Sequence, residues 1–163
     1  MNYSISVDEA HELLQGMRDA TAELILLRFR KDSLQASVPA ANSENLKLEI
    51  RKPAEGYDYL AEVTAEIADI EADIMVMERI IEAGRQRVRR IIPHLDKDNR
   101  EIVRLYYLFP VKDAAGNLRT WKEVEDLMKL SHTAVMKRRR KLFDDVNRII
   151  DRIEEEGETN EPL

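Results

Sequence analysis

Five consecutive cationic residues, Lys-Arg-Arg-Arg-Lys at 137–141, are the strongest candidates for binding chemistry in this sequence. From Lys129 to Lys141 the chain carries six Lys or Arg residues and no Asp or Glu. A helix with this charge neutralises phosphate groups and releases their counterions, which is a major source of affinity between proteins and nucleic acids. The run therefore indicates a phosphate-binding surface.

An ordinary solvated helix face is the alternative explanation of the same run. Asp144 and Asp145 follow it and are i,i+4 partners for Arg140 and Lys141. The first three cations of the run have no acidic residue at that spacing. Because these three charges are unopposed, we favour contact with nucleic acid.

Two short helices separated by a tight break are predicted to position these cations. Thr120 and Glu123 have the Thr-x-x-Glu spacing of a capping box, which starts the first helix. Ser131 can cap the second helix. The apolar faces of the two helices consist of Val124, Leu127 and Met128 and of Ala134, Val135, Leu142 and Phe143. A helix-turn-helix of this kind lays its second helix, here residues 131–143, in the DNA major groove.

The rotation of the second helix decides which side chains can reach DNA. If Val135 faces inward, the outward side chains include Ser131 and the base-edge candidates His132, Thr133, Met136 and Lys137. Arg138, Arg139, Arg140 and Lys141 are the candidates for phosphate contact. Thr120, Trp121 and Lys122 complete the predicted DNA-binding set at the start of the first helix. For Trp121 we favour anchoring in the core over contact with the DNA backbone.

A resemblance to known proteins covers residues 95–143, about a third of the chain. The segment REIVRLYY at 100–107, followed by TWKEVEDLMKLSHTAV at 120–135, resembles the region 4 helix-turn-helix of bacterial sigma factors. It is more closely similar to the small phage and prophage transcription regulators of the ArpU type. The matching positions are Thr120, Trp121, Glu123, Val124, Leu130, Ser131 and Val135.

The resemblance implies transcriptional control in a bacterial host, possible contact with RNA polymerase, and no cofactor. Four features depart from the family pattern. Glu125 replaces a small residue, Lys129 replaces the turn glycine, and Arg138 replaces an apolar residue. The link between the first two helices, at 109–119, is also longer than usual; it contains Gly116-Asn117 and predicts a turn or a small hairpin-like wing.

Composition and charge set the context for this interpretation. The chain has 163 residues, a net charge of −6, 36% charged residues and no Cys, which favours long helices and a cytoplasmic protein without disulfides. No apolar run reaches the length of a membrane span. The basic block lies in residues 81–143, which carry 16 basic and 8 acidic groups, between acidic flanking segments. Since salt screens distant charges, the net negative charge does not exclude DNA binding.

Two long heptad patterns precede the basic block. The first consists of Ala10, Leu13, Met17, Ala20, Leu24, Leu27 and Leu34, and the second of Leu60, Val63, Ile67, Ile70, Ile74, Met77, Ile81, Gly84, Val88 and Ile91. They predict a helix capped by Ser4 or Ser6 that ends near Gln35, and a second helix from Tyr57 to Pro93. We favour an antiparallel hairpin within one chain, although the same patterns would serve a homodimer.

The predicted architecture is therefore all-α. Residues 1–92 form the coiled-coil-like hairpin with a connector at 36–56, residues 93–156 form a sigma region 4-like DNA-binding domain, and residues 157–163 form a disordered acidic tail. We expect a sequence-specific transcriptional regulator that binds duplex DNA. The alternative is a coiled-coil assembly or adaptor protein, or a small DNA-packaging subunit, with a protein partner.

Two further clusters have structural explanations. The acidic residues Glu62, Glu66, Asp69 and Asp73 faintly resemble the magnesium ligands of helical pyrophosphohydrolases, but they also flank the heptad pattern as solvated residues do. We therefore expect no enzyme and no metal site. Arg85, Arg87, Arg89 and Arg90 suit the C-terminal end of a helix dipole, with a second phosphate-binding patch as the alternative.

Overall fold

The computed structural model describes residues 8–38 and 55–159, with side chains over 8–38 and 59–157, and is helical. Its helices are α1 (Glu9–Ser37), α2 (Glu55–Ile91), α3 (Lys97–Ile102), α4 (Trp121–Met128) and α5 (His132–Thr159). A 3₁₀ turn at Ile92–His94 follows α2, and a π-helical segment at Val103–Leu108 continues α3. These ranges contain no strand, only one antiparallel bridge between Val111 and Leu118. The all-α prediction is confirmed.

The observed helix ends differ slightly from the predicted ones. α1 ends two residues later than predicted, α2 begins at Glu55, and α5 continues past Glu156 to Thr159. Three predicted features lie partly or wholly outside the described residues. They are the caps Ser4 and Ser6, connector residues 39–54 and tail residues 160–163. Within the described ranges, no helix combines the length and the apolar character needed to cross a membrane.

Packing divides the chain into two compact units. One contains Met1–Thr21 and Ile80–Leu163, and the other contains Ala22–Arg79. In the first unit, α1 and α2 approach closely at Gly84, where an added Cβ would lie 2.5 Å from Cγ of Met17. A Cβ at position 84 would therefore require the Met17 side chain to move. The heptad pattern predicts Leu13 as a core residue, but Leu13 is half-buried. Its neighbour Leu14, at 1% exposure, lies in the core instead.

The start of α1 is held by the last helix of the same unit. Asp8 caps α1 in place of the predicted Ser4 or Ser6, since its Oδ1 accepts a hydrogen bond from the backbone N–H of His11 at 3.1 Å. The Asn147 amide completes this end: Oδ1 accepts from the N–H of Ala10 at 2.9 Å, and Nδ2 donates to Asp8 at 2.9 Å. These bonds lower the pKa of Asp8, with the Asn147 bond as the largest cause. The Asn147 side chain thus fixes the entry of α1 against α5.

The π-helical segment sets the spacing of the core residues beside the candidate site. The N–H of Phe109 donates to the carbonyl of Arg104 at 2.9 Å, five residues back. Buried residues accordingly recur at a spacing of five, as in the pairs Ile102 and Tyr107, and Val103 and Leu108. This wider turn places the Tyr107 ring fully in the core, with the neighbouring Tyr106 half-buried.

The second unit consists of the remaining parts of α1 and α2. Leu24 and Leu27 on α1 are buried, as are Val63 and Ile70 on α2. Three ion pairs join the helices: Arg28 to Glu78 at 2.9 Å, Arg30 to Glu66 at 2.5 Å and Lys31 to Glu71 at 3.2 Å. Since five of the six side chains are well exposed and only Lys31, at 29%, is more buried, these pairs orient the helices more than they stabilise them.

We predict that replacing Tyr107 by Phe stabilises the protein. Its hydroxyl is buried and lies near the Arg139 side chain, but it makes no hydrogen bond of good geometry with the described residues, a state that costs about 1 kcal/mol or more. Tyr107→Phe should therefore raise the free energy of unfolding, measured in urea, by about 1 kcal/mol. A loss of stability would show that the hydroxyl is bonded.

The pH dependence gives the same substitution a second readout. Burial raises the pKa of Tyr107 to about 12, although the nearby Arg139 charge opposes the shift. The unfolded chain, with an ordinary tyrosine pKa near 10, loses this proton first as the pH rises. Stability should thus be lost progressively between pH ~10 and ~12, and Tyr107→Phe should remove that component.

Candidate nucleic-acid interface

Helix α4 begins at the predicted capping box. Oγ1 of Thr120 accepts from the N–H of Glu123 at 3.3 Å, and Oε1 of Glu123 accepts from the N–H of Thr120 at 3.4 Å. Lys112 from the preceding loop pairs with the same carboxylate at 2.9 Å and lowers the pKa of Glu123. The capping-box prediction is confirmed, and the cap is also tied to the loop.

The loop at 109–119 is a short hairpin. The bridge between Val111 and Leu118 closes it, and the Asp113 carboxylate accepts hydrogen bonds from the backbone and side chain of Asn117, each at 3.0 Å. Gly116 has φ 83°, in the left-handed region that glycine adopts without a Cβ clash. The longer link is thus an ordered turn with its own hydrogen bonds.

The break between α4 and α5 is a Schellman turn. Lys129 has φ 55° and ψ 40°, the left-handed conformation that usually requires glycine. The N–H of Leu130 donates to the carbonyl of Glu125 at 3.1 Å, and the N–H of Lys129 donates to Asp126 at 3.3 Å. Lys129 therefore adopts the geometry of the turn glycine that it replaces in the family pattern.

Helix α5 has the rotation that the sequence predicts. Oγ of Ser131 accepts from the N–H of Ala134 at 3.1 Å and caps the helix. Val135 and Leu142 are fully buried. The predicted DNA-binding residues that are exposed are Thr120, Lys122, Ser131, His132, Thr133, Lys137, Arg140 and Lys141, and those that are half-buried are Trp121, Met136, Arg138 and Arg139.

Three cations of the 137–141 run remain available for an external anion. Lys137, Arg140 and Lys141 form no ion pair with other described residues. The expected partner of Lys141, Asp145, instead pairs with Arg148 one turn further along. Their charges therefore face solvent at the N-terminal half of the helix.

The side chains of Arg138 and Arg139 contact other residues of the protein. Arg138 lacks an acidic partner on its own helix, but it reaches Asp98 on α3 at 2.8 Å. The Arg139 guanidinium lies over the Trp121 ring, 4.8 Å from its centroid. The ion pair corrects the prediction that the Arg138 charge is unopposed, whereas Arg139 has no acidic partner among the described residues and contacts an aromatic ring instead.

His132 is also held by a neighbour. Its Nδ1 lies 2.5 Å from Oε1 of Glu125, whose side chain is 12% exposed, whereas the His132 side chain is 72% exposed. Glu125 thus orients the first side chain of α5 and leaves most of the imidazole ring accessible. A small residue at 125, as in the family pattern, could not do this.

An aromatic stack holds α4 against the segment that precedes it. The Trp121 and Tyr106 rings lie 3.7 Å apart between centroids at 20°, and Tyr107 meets Trp121 edge-on at 6.1 Å. The guanidinium of Arg18, on α1, lies 3.7 Å from the Tyr106 centroid. Trp121 is half-buried against the core, in the position expected of an anchor.

Two arginines bond the carbonyl groups left free at the end of the π-helical segment. Arg18 donates to the carbonyl of Tyr106 at 2.9 Å and, beyond that segment, to the carbonyl of Arg119 at 2.7 Å. Arg119 donates to the carbonyls of Leu105 at 3.3 Å and Phe109 at 2.5 Å. Such carbonyls have no partner within the helix. Burial lowers the pKa of Arg18, but these acceptors replace its lost hydration.

The arginine cluster at the end of α2 is divided in its contacts. Arg87 pairs with Glu9 at 3.3 Å and with Glu154 at 3.7 Å. Arg85 lies 5.2 Å from the Phe109 ring centroid. Arg89 and Arg90 are exposed. Two of the four arginines, Arg85 and Arg87, therefore contact other residues of the same unit.

The roles of Arg18, Asp98 and Glu125 were missed by the sequence analysis. Arg18 lies 101 residues before its carbonyl partner Arg119, and no local pattern connects the two. A signal did exist for Glu125, because it stands seven residues before His132 across the predicted turn. The contacts of Arg18 and Asp98 depend on the tertiary fold, and no sequence spacing predicts them.

The exposed cations of α5 have the charge that binding of a polyanion would require. Among the described residues, no three His, Cys, Asp or Glu side chains come together as metal ligands. Comparison of the chain with protein-family models, curated proteins and solved structures finds no significant match. The resemblance to ArpU-type regulators therefore stays a prediction from the residues quoted above.

We predict that Lys129→Gly stabilises the turn. Glycine adopts positive φ without the steric cost of roughly 1 kcal/mol that Lys129 bears. The free energy of unfolding should rise by about 0.5–1 kcal/mol in urea titrations. Lys129→Ala removes the same charge without relieving φ and is the matched control. Equal effects of the two substitutions would contradict a conformational origin.

Proposed function

We propose that this protein is a sequence-specific transcriptional regulator that binds duplex DNA, with residues 131–143 as its recognition helix in the major groove. The observation that carries the proposal is the exposed, unpaired set of Lys137, Arg140 and Lys141 on a helix that follows a capped helix and a tight turn. A short first helix that supports such a cationic second helix is the arrangement that DNA-binding helix-turn-helix proteins use.

The division of labour along α5 sharpens this proposal. His132, Thr133, Met136 and Lys137 are the base-edge candidates, since they occupy the first turns, where a recognition helix meets the bases. Arg140 and Lys141 contact phosphates. Arg138 and Arg139 chiefly fix the height and rotation of the helix through Asp98 and Trp121.

The wider context of the proposal comes from resemblance and from charge. A sigma region 4-like unit of the ArpU type implies regulation of phage or prophage genes in the cytoplasm of a bacterial host cell, with RNA polymerase as a possible second partner. We also propose that α1 and α2 pair as an antiparallel hairpin within one chain. The ion pairs Arg28–Glu78 and Lys31–Glu71 support this, because the order of the partners reverses.

A coiled-coil adaptor or assembly protein is the second candidate function. Exposed apolar side chains favour it, above all Phe29 at 73% and Leu26 at 64% exposure on α1. In that case α5 would dock on an acidic protein. Selectivity for duplex DNA over a single-stranded polyanion of equal charge separates the two functions.

The test is fluorescence anisotropy with genomic duplex fragments over a salt series. We predict selective binding to some fragments, and a weakening of about 1–3 kcal/mol for each DNA-binding side chain removed in Lys137→Ala/Arg140→Ala. The slope of log K against log salt should fall by about one unit for each phosphate that the variant no longer neutralises.

Arg79→Ala/Arg152→Ala is the matched control. It removes the same charge from two exposed positions outside the proposed recognition segment, neither of which forms an ion pair with other described residues. This variant should bind as the unaltered protein does. Equal weakening of both variants would indicate attraction to net charge alone, and no binding at low salt would contradict the proposal.

A further inference from the structure

The contact between His132 and Glu125 determines which nitrogen of the imidazole ring carries the proton. Nδ1 of His132 lies 2.5 Å from Oε1 of Glu125. An ionised carboxylate has no hydrogen to donate, so the hydrogen bond between these atoms requires the proton to be on Nδ1. In a neutral imidazole the other ring nitrogen then has no proton and can only accept. Nε2 of the neutral ring is therefore a hydrogen-bond acceptor.

The burial of Glu125 favours this tautomer over the other. Its side chain is 12% exposed, and among the described residues only His132 donates a hydrogen bond to its carboxylate. A carboxylate with little access to water is costly without a donor. The opposite tautomer would place two acceptors 2.5 Å apart and leave the carboxylate without that donor. Nε2 makes no hydrogen bond with the described residues and is free to bind an external donor.

We propose that Nε2 of His132 accepts a hydrogen bond from an exocyclic amino group in the major groove, either N6 of adenine or N4 of cytosine. This assignment rests on the proposed DNA binding, in which His132 is the first residue of the recognition helix. These two amino groups are the only hydrogen-bond donors that base pairs present in the major groove. Glu125 is a positioning residue, because it sets the tautomer through His132.

The same tautomer excludes the other contacts that a histidine at this position could make. Phosphate oxygens only accept hydrogen bonds, and so do O6 and N7 of guanine. Each of these atoms would meet the lone pair on Nε2 instead of a proton. Arg140 and Lys141 differ from His132, since they carry donors and charge that suit the phosphates of any sequence. His132 therefore contributes to base selectivity and not to neutralisation of phosphate.

Removal of single DNA groups tests the assignment, at about pH 8.5 to favour the neutral ring. The probes are duplexes that the unaltered protein enriches from a random library. The base pair that contacts residue 132 is the one whose preference is lost in His132→Ala. At that pair, purine in place of adenine, or pyrimidin-2-one in place of cytosine, removes the amino group.

The expected result is a loss of affinity that depends on His132. Without the amino group, binding of the unaltered protein should weaken about fivefold more than binding of His132→Ala, the effect of one neutral hydrogen bond. The comparison with His132→Ala cancels any effect of the analogue on the duplex itself. 7-Deazapurines, which lack the N7 acceptor, should give no such difference. His132→Ala should also keep the slope of log K against log salt.

Glu125→Gln tests the positioning role. A glutamine amide can donate to Nδ1 as well as accept from it, so both tautomers become available. Discrimination at that base pair should therefore fall in Glu125→Gln. Asp126→Asn is the matched control, since it removes the same charge from an exposed neighbour on α4 and should keep the discrimination.

The outcomes separate this inference from the function on which it rests. A His132-dependent loss with 7-deazaguanine would show that Nε2 donates, and a lower salt slope in His132→Ala would place the ring on a phosphate. Either result would overturn the inference alone, as would an enriched sequence whose amino groups show no coupling to His132. Unchanged discrimination in Glu125→Gln would overturn the role of Glu125. A library without any enriched sequence would contradict the proposed function itself.

Discussion

The stack of Trp121 on Tyr106 is the contact on which the candidate interface depends. It joins the first residue of α4 to the π-helical segment, and Arg18 and Arg139 lie against the two rings. Arg18 also bonds the carbonyl of Arg119, next to the N-cap of α4. Because aromatic contact and carbonyl bonding both fix the start of α4, the direction of α5 follows from a short turn. The exposed cations of α5 are thereby presented on a rigid support.

The three substitutions that separate this chain from the family pattern form a consistent set of contacts. Lys129 takes the left-handed conformation of the expected glycine, at a cost that the Schellman hydrogen bonds offset. Glu125 orients His132, and Arg138 exchanges an apolar contact for an ion pair with Asp98. Each of the three residues therefore has a specific contact or backbone geometry that accounts for its presence around the break between α4 and α5.

The sequence was sufficient for features that depend on neighbours within about one turn. The Thr120 cap, the Ser131 cap and the inward side of Val135 follow from local hydrogen bonding and helical periodicity. The contacts of Asn147 with Asp8 and of Arg18 with Arg119 could not be predicted, since no spacing rule joins residues 139 and 101 positions apart.

Targeted cleavage of bound DNA tests the central claim most directly. An iron chelate attached through Thr133→Cys, in a chain without other Cys, would sit on the face of α5 that we assign to the bases. We predict strand cuts confined to a few base pairs of a bound duplex fragment, because the major groove holds the recognition helix in one register. The same reagent on Arg152→Cys should leave those positions uncut. Uniform cleavage by both conjugates, or cleavage by Arg152→Cys alone, would contradict the placement of α5 in the groove.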